Sequence, residues 1–395
     1  MTRHTKNQEI EALRGVAVLM VMWNHMVTFY TTGGGIQDPI AWKIFPSWSG
    51  VDLFFCISGY VVTLSVTRSL ASSDGSFLSM AIPFWLRRVW RLLPSAWFWL
   101  AVTMAMSVWY NSSGAFVNLI QNIGDTLSVV FQVSNFHFLA CIQNPKIYCG
   151  ANWQYWSLSL EEQFYMVFPF FVFFVPQRWR MPSLAAIALG QILMPRPPFS
   201  FGWVTRTDAI CLGVIIAMAQ SRGLLDRLEP MFLNNRPLAI VAFLVCLTLI
   251  AALPSPLFFV VPFYTGLIAV LSAAFVFCAA FGKGYVLPIP IFGRALAWIG
   301  SRSYGLYLVH YVAYHIVLEH FFRRNPAGSP WPGDNSLLMV ATAIPLAFAL
   351  AEINYRLIEQ PGIRKGQEIA RRIATRISRP EGQTAVAQIP SARSR

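Results

Sequence analysis

Apolar runs of eighteen or more residues recur along the whole chain, separated by short polar or basic segments. A run of that length can cross the hydrocarbon core of a bilayer as a helix. The pattern predicts an all-α, polytopic integral membrane protein with about ten transmembrane helices. They fall at approximately 11–30, 49–68, 90–110, 154–175, 182–195, 203–220, 237–253, 257–281, 298–319 and 337–358. Because the runs are evenly spread, one transmembrane domain is expected over residues 1–362. In the remainder, 363–395, Ile369, Ile373 and Ile377 recur every fourth residue, while Arg371, Arg372, Arg376 and Arg379 take other faces. This spacing predicts a basic amphipathic helix on the inner membrane surface, followed by a disordered end.

Charge placement orients the spans. With the N-terminus inside, the inner segments hold Arg3 and Lys6, then Arg68, Arg87, Arg88 and Arg91, then Arg178 and Arg180. Further along they hold Arg222, Arg227 and Arg236, then Lys283 and Arg294, and the tail. The outer loops hold only Lys43, Lys146, Arg196, Arg323 and Arg324. An even span count with both termini cytoplasmic satisfies the positive-inside rule at every inner loop. The first run exceeds a usual signal-peptide core and carries Arg14 and His25, so it is retained as a span.

Composition agrees with this class. The chain is 56% hydrophobic and 12% charged, about half the charged fraction of soluble domains. Its net charge of +13 would suit nucleic acid, but the basic residues sit at span ends and in the tail. They point to topology and membrane lipid, and nucleic acid is not an expected partner. Cys56, Cys211, Cys246 and Cys278 fall within spans. Cys141 and Cys149 lie in the long outer loop, where a disulfide and two free thiols are both open readings.

The candidate chemistry starts in the first span. Arg14 and His25 lie eleven residues apart, within about 20° of one helix face and roughly 16 Å apart along the axis. Ionisable groups in a span are costly and tend to mark a site. Counting inward from span ends puts His25, Asp52 and Glu161 near one depth in the outer half, with Asp208 close by and His310 near mid-span. Trp156 and Tyr307 join Asp208 and His310 as a candidate acceptor or structural set. A second set, Arg14, Arg88, Arg91 and Arg302, gathers at the inner side, where guanidinium forks suit a multiply phosphorylated ligand. Together they suggest cytosolic acyl-coenzyme A, most simply acetyl-coenzyme A, as co-substrate. Its nucleotide would sit on the arginines and its pantetheine arm would run toward His25. His25 would act as general base on an acceptor hydroxyl or accept the acyl group transiently. Asp52 or Glu161 would orient it. No spacing resembles a metal site, and no bound cofactor is expected.

These residues carry a resemblance to the acyltransferase-3 family of bacterial integral membrane O-acyltransferases. The similar elements are EALRGVAVLMVMWNHM, GVDLFFCISGY, FWLRRVWRLLP, WSLSLEEQFY, RTDAICLG, SYGLYLVH and RLIEQP, in family order from residue 11 to 361. The resemblance implies a ten-helix core in the bacterial cytoplasmic (inner) membrane. It implies acyl transfer, most often of acetyl, to a hydroxyl of a carbohydrate or glycosylated acceptor outside. The family's first-span arginine and histidine match Arg14 and His25, its paired arginines match Arg88 and Arg91, and its glutamate matches Glu161, beside Glu162. Some relatives carry a C-terminal hydrolase-like domain that this sequence lacks. The alternatives are completion of transfer alone or hand-over to a separate periplasmic acyl-handling partner.

Plainer readings stand beside these. Arg14, Arg88 and Arg91 would also serve as span-end anchors, and Asp52 and Glu161 as partners of span arginines. The rival function is a transporter or flippase of a lipid-linked or anionic glycan, which buried charges would also suit.

Overall fold

The computed structural model describes residues 7–31, 40–71, 73, 75–258, 261–324 and 336–377. Among these residues every regular element is helical. Five stretches are long and apolar enough to cross a membrane: Gln8–Tyr30, Gly50–Ala71, Phe77–Trp109, Phe201–Ser221 and Leu337–Thr375. Two shorter apolar helices, Arg236–Ala252 and Tyr264–Ala280, accompany them.

The principal helices are α1 (Gln8–Thr31), α2 (Gly50–Ala71), α3 (Phe77–Trp109), α4 (Leu119–Val130), α5 (Ser134–Gln143), α6 (Tyr155–Phe174), α7 (Gln177–Ile192) and α8 (Asp208–Ser221). After them come α9 (Arg236–Ala252), α10 (Tyr264–Ala280), α11 (Pro290–Gly300), α12 (Ser303–Arg324), α13 (Ser336–Asn354) and α14 (Gln360–Ile377). Asn7 caps α1, its Oδ1 accepting from the backbone N–H groups of Glu9 and Ile10 at 3.0 and 3.3 Å. Glu9 and Glu11 in the first turn complement the helix dipole. The apolar core joins α1, α2, α6, α8, α10 and α12, with Leu13, Leu53, Ile210 and Leu308 all fully buried.

The central crossing is that of α2 with α8. A Cβ on Gly59 would lie 2.1 Å from the Ile210 carbonyl oxygen, and one on Gly213 would lie 2.0 Å from that of Cys56. Only hydrogen at both positions lets the backbones meet, as in small-residue packing between membrane helices.

Several expected boundaries shift; the ninth span, expected at 298–319, begins at Ser303 after the separate helix α11, and two further changes bear on the site. The third span, expected at 90–110, is the last two-thirds of α3, which begins at Phe77 and carries Pro83 and Pro94 internally. Arg87, Arg88 and Arg91 therefore sit mid-helix rather than at its mouth. Prolines do not end a helix whose neighbours re-satisfy the freed carbonyls. The tail helix forms as α14, continuing from α13 through a π-helical turn at Tyr355–Glu359. Its buried face, Gly362, Gly366 and Ala370, packs on α3. A Cβ on Gly362 would come within 2.4 Å of the Trp90 carbonyl oxygen. The expected disordered end beyond 377 lies outside the described residues, as do Arg3 and Lys6.

Candidate functional site

A cleft with a cavity of about 70 Å³ opens between α1, α2, α3, α6 and α12. Its lining includes Arg14, Arg88 and Arg91, then Ser58, Glu161, Glu162 and Tyr165, and Ser303, Tyr304 and Tyr307 of α12. The predicted arginines of the first and third spans thus share one cavity with the predicted glutamate of the fourth. Arg88 is buried, its guanidinium 4.9 Å from the Tyr165 ring centroid and 5.7 Å from that of Phe84. Arg14 reaches back to Glu11 at 3.4 Å. The Glu161 carboxylate accepts hydrogen bonds from the hydroxyls of Ser58 and Tyr165.

Tyr307 closes the cleft toward the histidines. Its hydroxyl donates to the Gln154 carbonyl at 3.1 Å and shares a 2.5 Å bond with Ser157. One turn along α12, the His310 ring lies 5.7 Å from the Tyr307 ring and 5.1 Å from that of His25. His25 Nδ1 and His310 Nε2 are 2.9 Å apart. The proton positions follow from the next contact. His310 Nδ1 lies 3.1 Å from the Leu306 carbonyl oxygen, which can only accept. In the neutral ring His310 Nε2 is therefore an acceptor, so His25 Nδ1 donates to it. The lone pair of His25 is left on Nε2, where no described residue bonds it. His25 is only partly buried.

His25 is oriented by His310, which corrects the expectation that Asp52 or Glu161 does so. Asp52 is 1% exposed and is held by Arg206, Oδ1 to Nε at 2.7 Å and Oδ2 to Nη2 at 3.0 Å. The Arg206 guanidinium is boxed by Trp203 at 4.3 Å, Trp156 at 5.0 Å, Trp48 at 5.5 Å and Phe55 at 5.7 Å. Trp156 is thus part of the wall around this ion pair, stacked on Trp203 at 4.4 Å. Asp208 is used in the same way, paired with buried Arg196 at 3.0 and 2.5 Å. Arg302 is separated from the other arginines: it pairs with Glu352 at 2.7 Å between Trp298 and Tyr355 and does not line the cleft. Each correction has one cause. A buried carboxylate takes the strongest available donor, and counting along a span does not show which arginine folds back onto it.

Two cleft residues escaped the sequence reading although a signal was present. Tyr165 lies four residues after Glu161, hence on the same helix face, and Ser58 stands in the same sequence element as Asp52, GVDLFFCISGY. The structure also joins Cys141 and Cys149 as a disulfide, with Cα atoms 5.7 Å apart. His137 lies beside them, but both sulfurs are spent on each other.

Comparison with known proteins places this geometry. Residues 7–352 match the family model described as an acyltransferase domain, Acyl_transf_3. O-acetyltransferase OatA of Staphylococcus aureus strain NCTC 8325 / PS 47 is 27% identical over 386 residues, covering 90% of this chain and 57% of the relative. OatA of strain COL gives the same identity and coverage. The chain therefore spans 57% of the length of the curated relatives it matches. No solved structure matches. With the family match running through every helix that lines the cleft, the chain belongs to the acyltransferase-3 family.

Proposed function

We propose that this chain is an integral O-acyltransferase of a bacterial cytoplasmic membrane, with ten spans and both termini in the cytoplasm. It takes an acyl group, acetyl by preference, from cytosolic acyl-coenzyme A and delivers it to a hydroxyl of a carbohydrate or glycosylated acceptor on the other face. The observation that carries this reading is the continuity from Arg14, Arg88 and Arg91 through one cleft to Tyr307, next to the His25–His310 pair. The name of the staphylococcal relatives supports acetyl as the group transferred.

In this reading the guanidinium groups hold the phosphates of the donor, and the acyl thioester lies toward Tyr307. His25 Nε2 takes the proton of the acceptor hydroxyl as that oxygen attacks the thioester carbonyl. The C–S bond then breaks, the proton passes from His25 to the departing sulfur, and free coenzyme A thiol and an O-acyl ester result. The bond from His25 to His310 holds the reactive tautomer and shares the imidazolium charge in the intermediate state. Transfer ends either on the acceptor directly or on a separate periplasmic acyl-handling partner.

The test is thiol release from acetyl-coenzyme A by the purified chain in lipid nanodiscs, wild type against His25→Ala, with thermal-shift titration by coenzyme A alongside. Stabilisation of both proteins with thiol release by wild type alone is the expected result. If coenzyme A stabilises neither protein and no thiol is released, the donor assignment fails and a glycan transporter becomes the better reading.

A further inference from the structure

Helix α4 has its polarity reversed. Its polar side chains Asn122, Asp125 and Ser128 are buried, while Ile120 and Leu127 are 82% and 52% exposed. The inward groups are fully used. Asn122 Nδ2 donates to the Phe116 carbonyl at 2.6 Å, and its Oδ1 accepts from the Ala151 amide at 2.9 Å. Asp125 accepts from the amides of Gly150 and Asn152 at 2.9 and 3.0 Å and lies 3.1 Å from His137 Nε2. These bonds tether α4 to the segment that enters α6, and the Cys141–Cys149 disulfide closes the same unit. What the unit turns outward is apolar.

The sequence around α4 carries the same message. Between Arg91 and Lys146 the only Asp, Glu, Lys or Arg is Asp125, and it is buried beside His137. A loop facing water would hold charged groups outward, and after Lys146 the next charged residue is Glu161, already within α6. Helix α4 packs against α3, whose end is likewise apolar and exposed: Trp109 is 78% exposed, and Phe131, just past α4, is 72% exposed. Tyr148 and Trp153, amphipathic rings of the type that settles at headgroup depth, flank the unit. At twelve residues α4 is about 18 Å long, too short to cross a bilayer core of about 30 Å.

We propose that α4 is an interfacial membrane helix, its Ile120–Ile123–Leu127–Phe131 face immersed in the acyl chains of the leaflet at which α3 ends. The loop joining α3 to α6 is then a lipid-seated platform and not a domain in water. Lipid, and not a second copy of the chain, is the occupant because the exposed side chains are uncharged and α4 packs against α3, a helix long and apolar enough to cross a membrane. The platform is fastened to the reaction helix as well: Glu319 of α12 accepts from the amides of Ser112 and Ser113 at 2.7 Å each, and Phe116 packs 5.2 Å from the His315 ring.

The test uses the full chain in nanodiscs of phosphatidylcholine and phosphatidylglycerol. Cys56, Cys211, Cys246 and Cys278 are replaced by alanine with the disulfide retained, and one environment-sensitive nitrobenzoxadiazole label is placed at Ile120→Cys, Leu127→Cys or Asn144→Cys. Labels at 120 and 127 are expected to be quenched at least twofold by spin-labelled lipid and barely by iodide, with the reverse at 144. Iodide quenching at 120 and 127 overturns the proposal in favour of a face in water. Shielding from both quenchers that is lost when each disc holds one copy overturns it in favour of a second copy. The unmutated chain gives an independent readout: cross-links from a photoactivatable phosphatidylcholine should map to 119–131, and their absence there counts against the proposal.

Discussion

Replacing Asp52 tests whether the carboxylate belongs to the reaction or to the fold. In the structure it faces Arg206 through two short bonds at 2.7 and 3.0 Å, with both side chains essentially unexposed. At a charge separation near 4 Å and an effective dielectric of about 20, the gross attraction is about 4 kcal/mol. Desolvation of two ions offsets much of that, so the intact pair is worth little net. Asp52→Asn keeps the volume but strands a buried guanidinium, which costs about 3–5 kcal/mol. The facing rings, Trp203 at 4.3 Å above all, make the same cation–π contacts in both proteins. The expected net destabilisation is therefore about 3–5 kcal/mol. The double replacement Asp52→Asn with Arg206→Gln removes both charges and should recover at least half of it. The assay is reversible unfolding in mixed micelles with increasing dodecyl sulfate, read by tryptophan fluorescence, together with thiol release per folded molecule. An Asp52→Asn protein as stable as wild type but without activity would refute the structural role and return Asp52 to the catalytic group.

Three further outcomes follow from the geometry. His310→Phe removes the acceptor for His25 Nδ1 while keeping a ring, and should lower thiol release about 10²–10⁴-fold with coenzyme A binding unchanged; an unaffected rate would separate His310 from the base. Glu229, in the loop before α9, accepts from Lys283 and Tyr285 at 2.5 Å each, which holds its carboxyl below the ordinary carboxylate range and pushes the Tyr285 hydroxyl up to about 12. Because the folded value is the lower one, the stabilisation is present above the unfolded pKa and lost as pH falls through the folded one. The unfolding midpoints of wild type and Glu229→Gln should thus differ at pH 7 and converge in acid; a gap that widens in acid would contradict this. Gly213→Val places side-chain atoms where the Cys56 carbonyl stands 2.0 Å from the first added carbon, so overpacking of about 3 kcal/mol or more is expected. Size-exclusion chromatography should show loss of the monodisperse species, and a wild-type profile would mean that α2 and α8 can part.

Much of this protein was legible in its residues alone. Apolar run length announced helices in a membrane because a bilayer core admits no backbone that fails to bond to itself. The eleven-residue interval from Arg14 to His25 placed a cation and an imidazole on one helix face, because helical periodicity is a local property. The ordered elements from residue 11 to 361 pointed to the family that the match over 7–352 bears out. The assignment of partners was not local. Asp52 and Arg206 are 154 residues apart in sequence, His25 and His310 are 285 apart, and only the packing of α1 on α12 and the return of the chain before α8 decides who meets whom. Burial favours a counter-ion for each buried carboxylate, but the fold chooses among several chemically equivalent pairings. The same holds for α4: the sequence reading left it within the long outer loop, and only the tertiary structure turned its polar side inward and left the apolar side facing out.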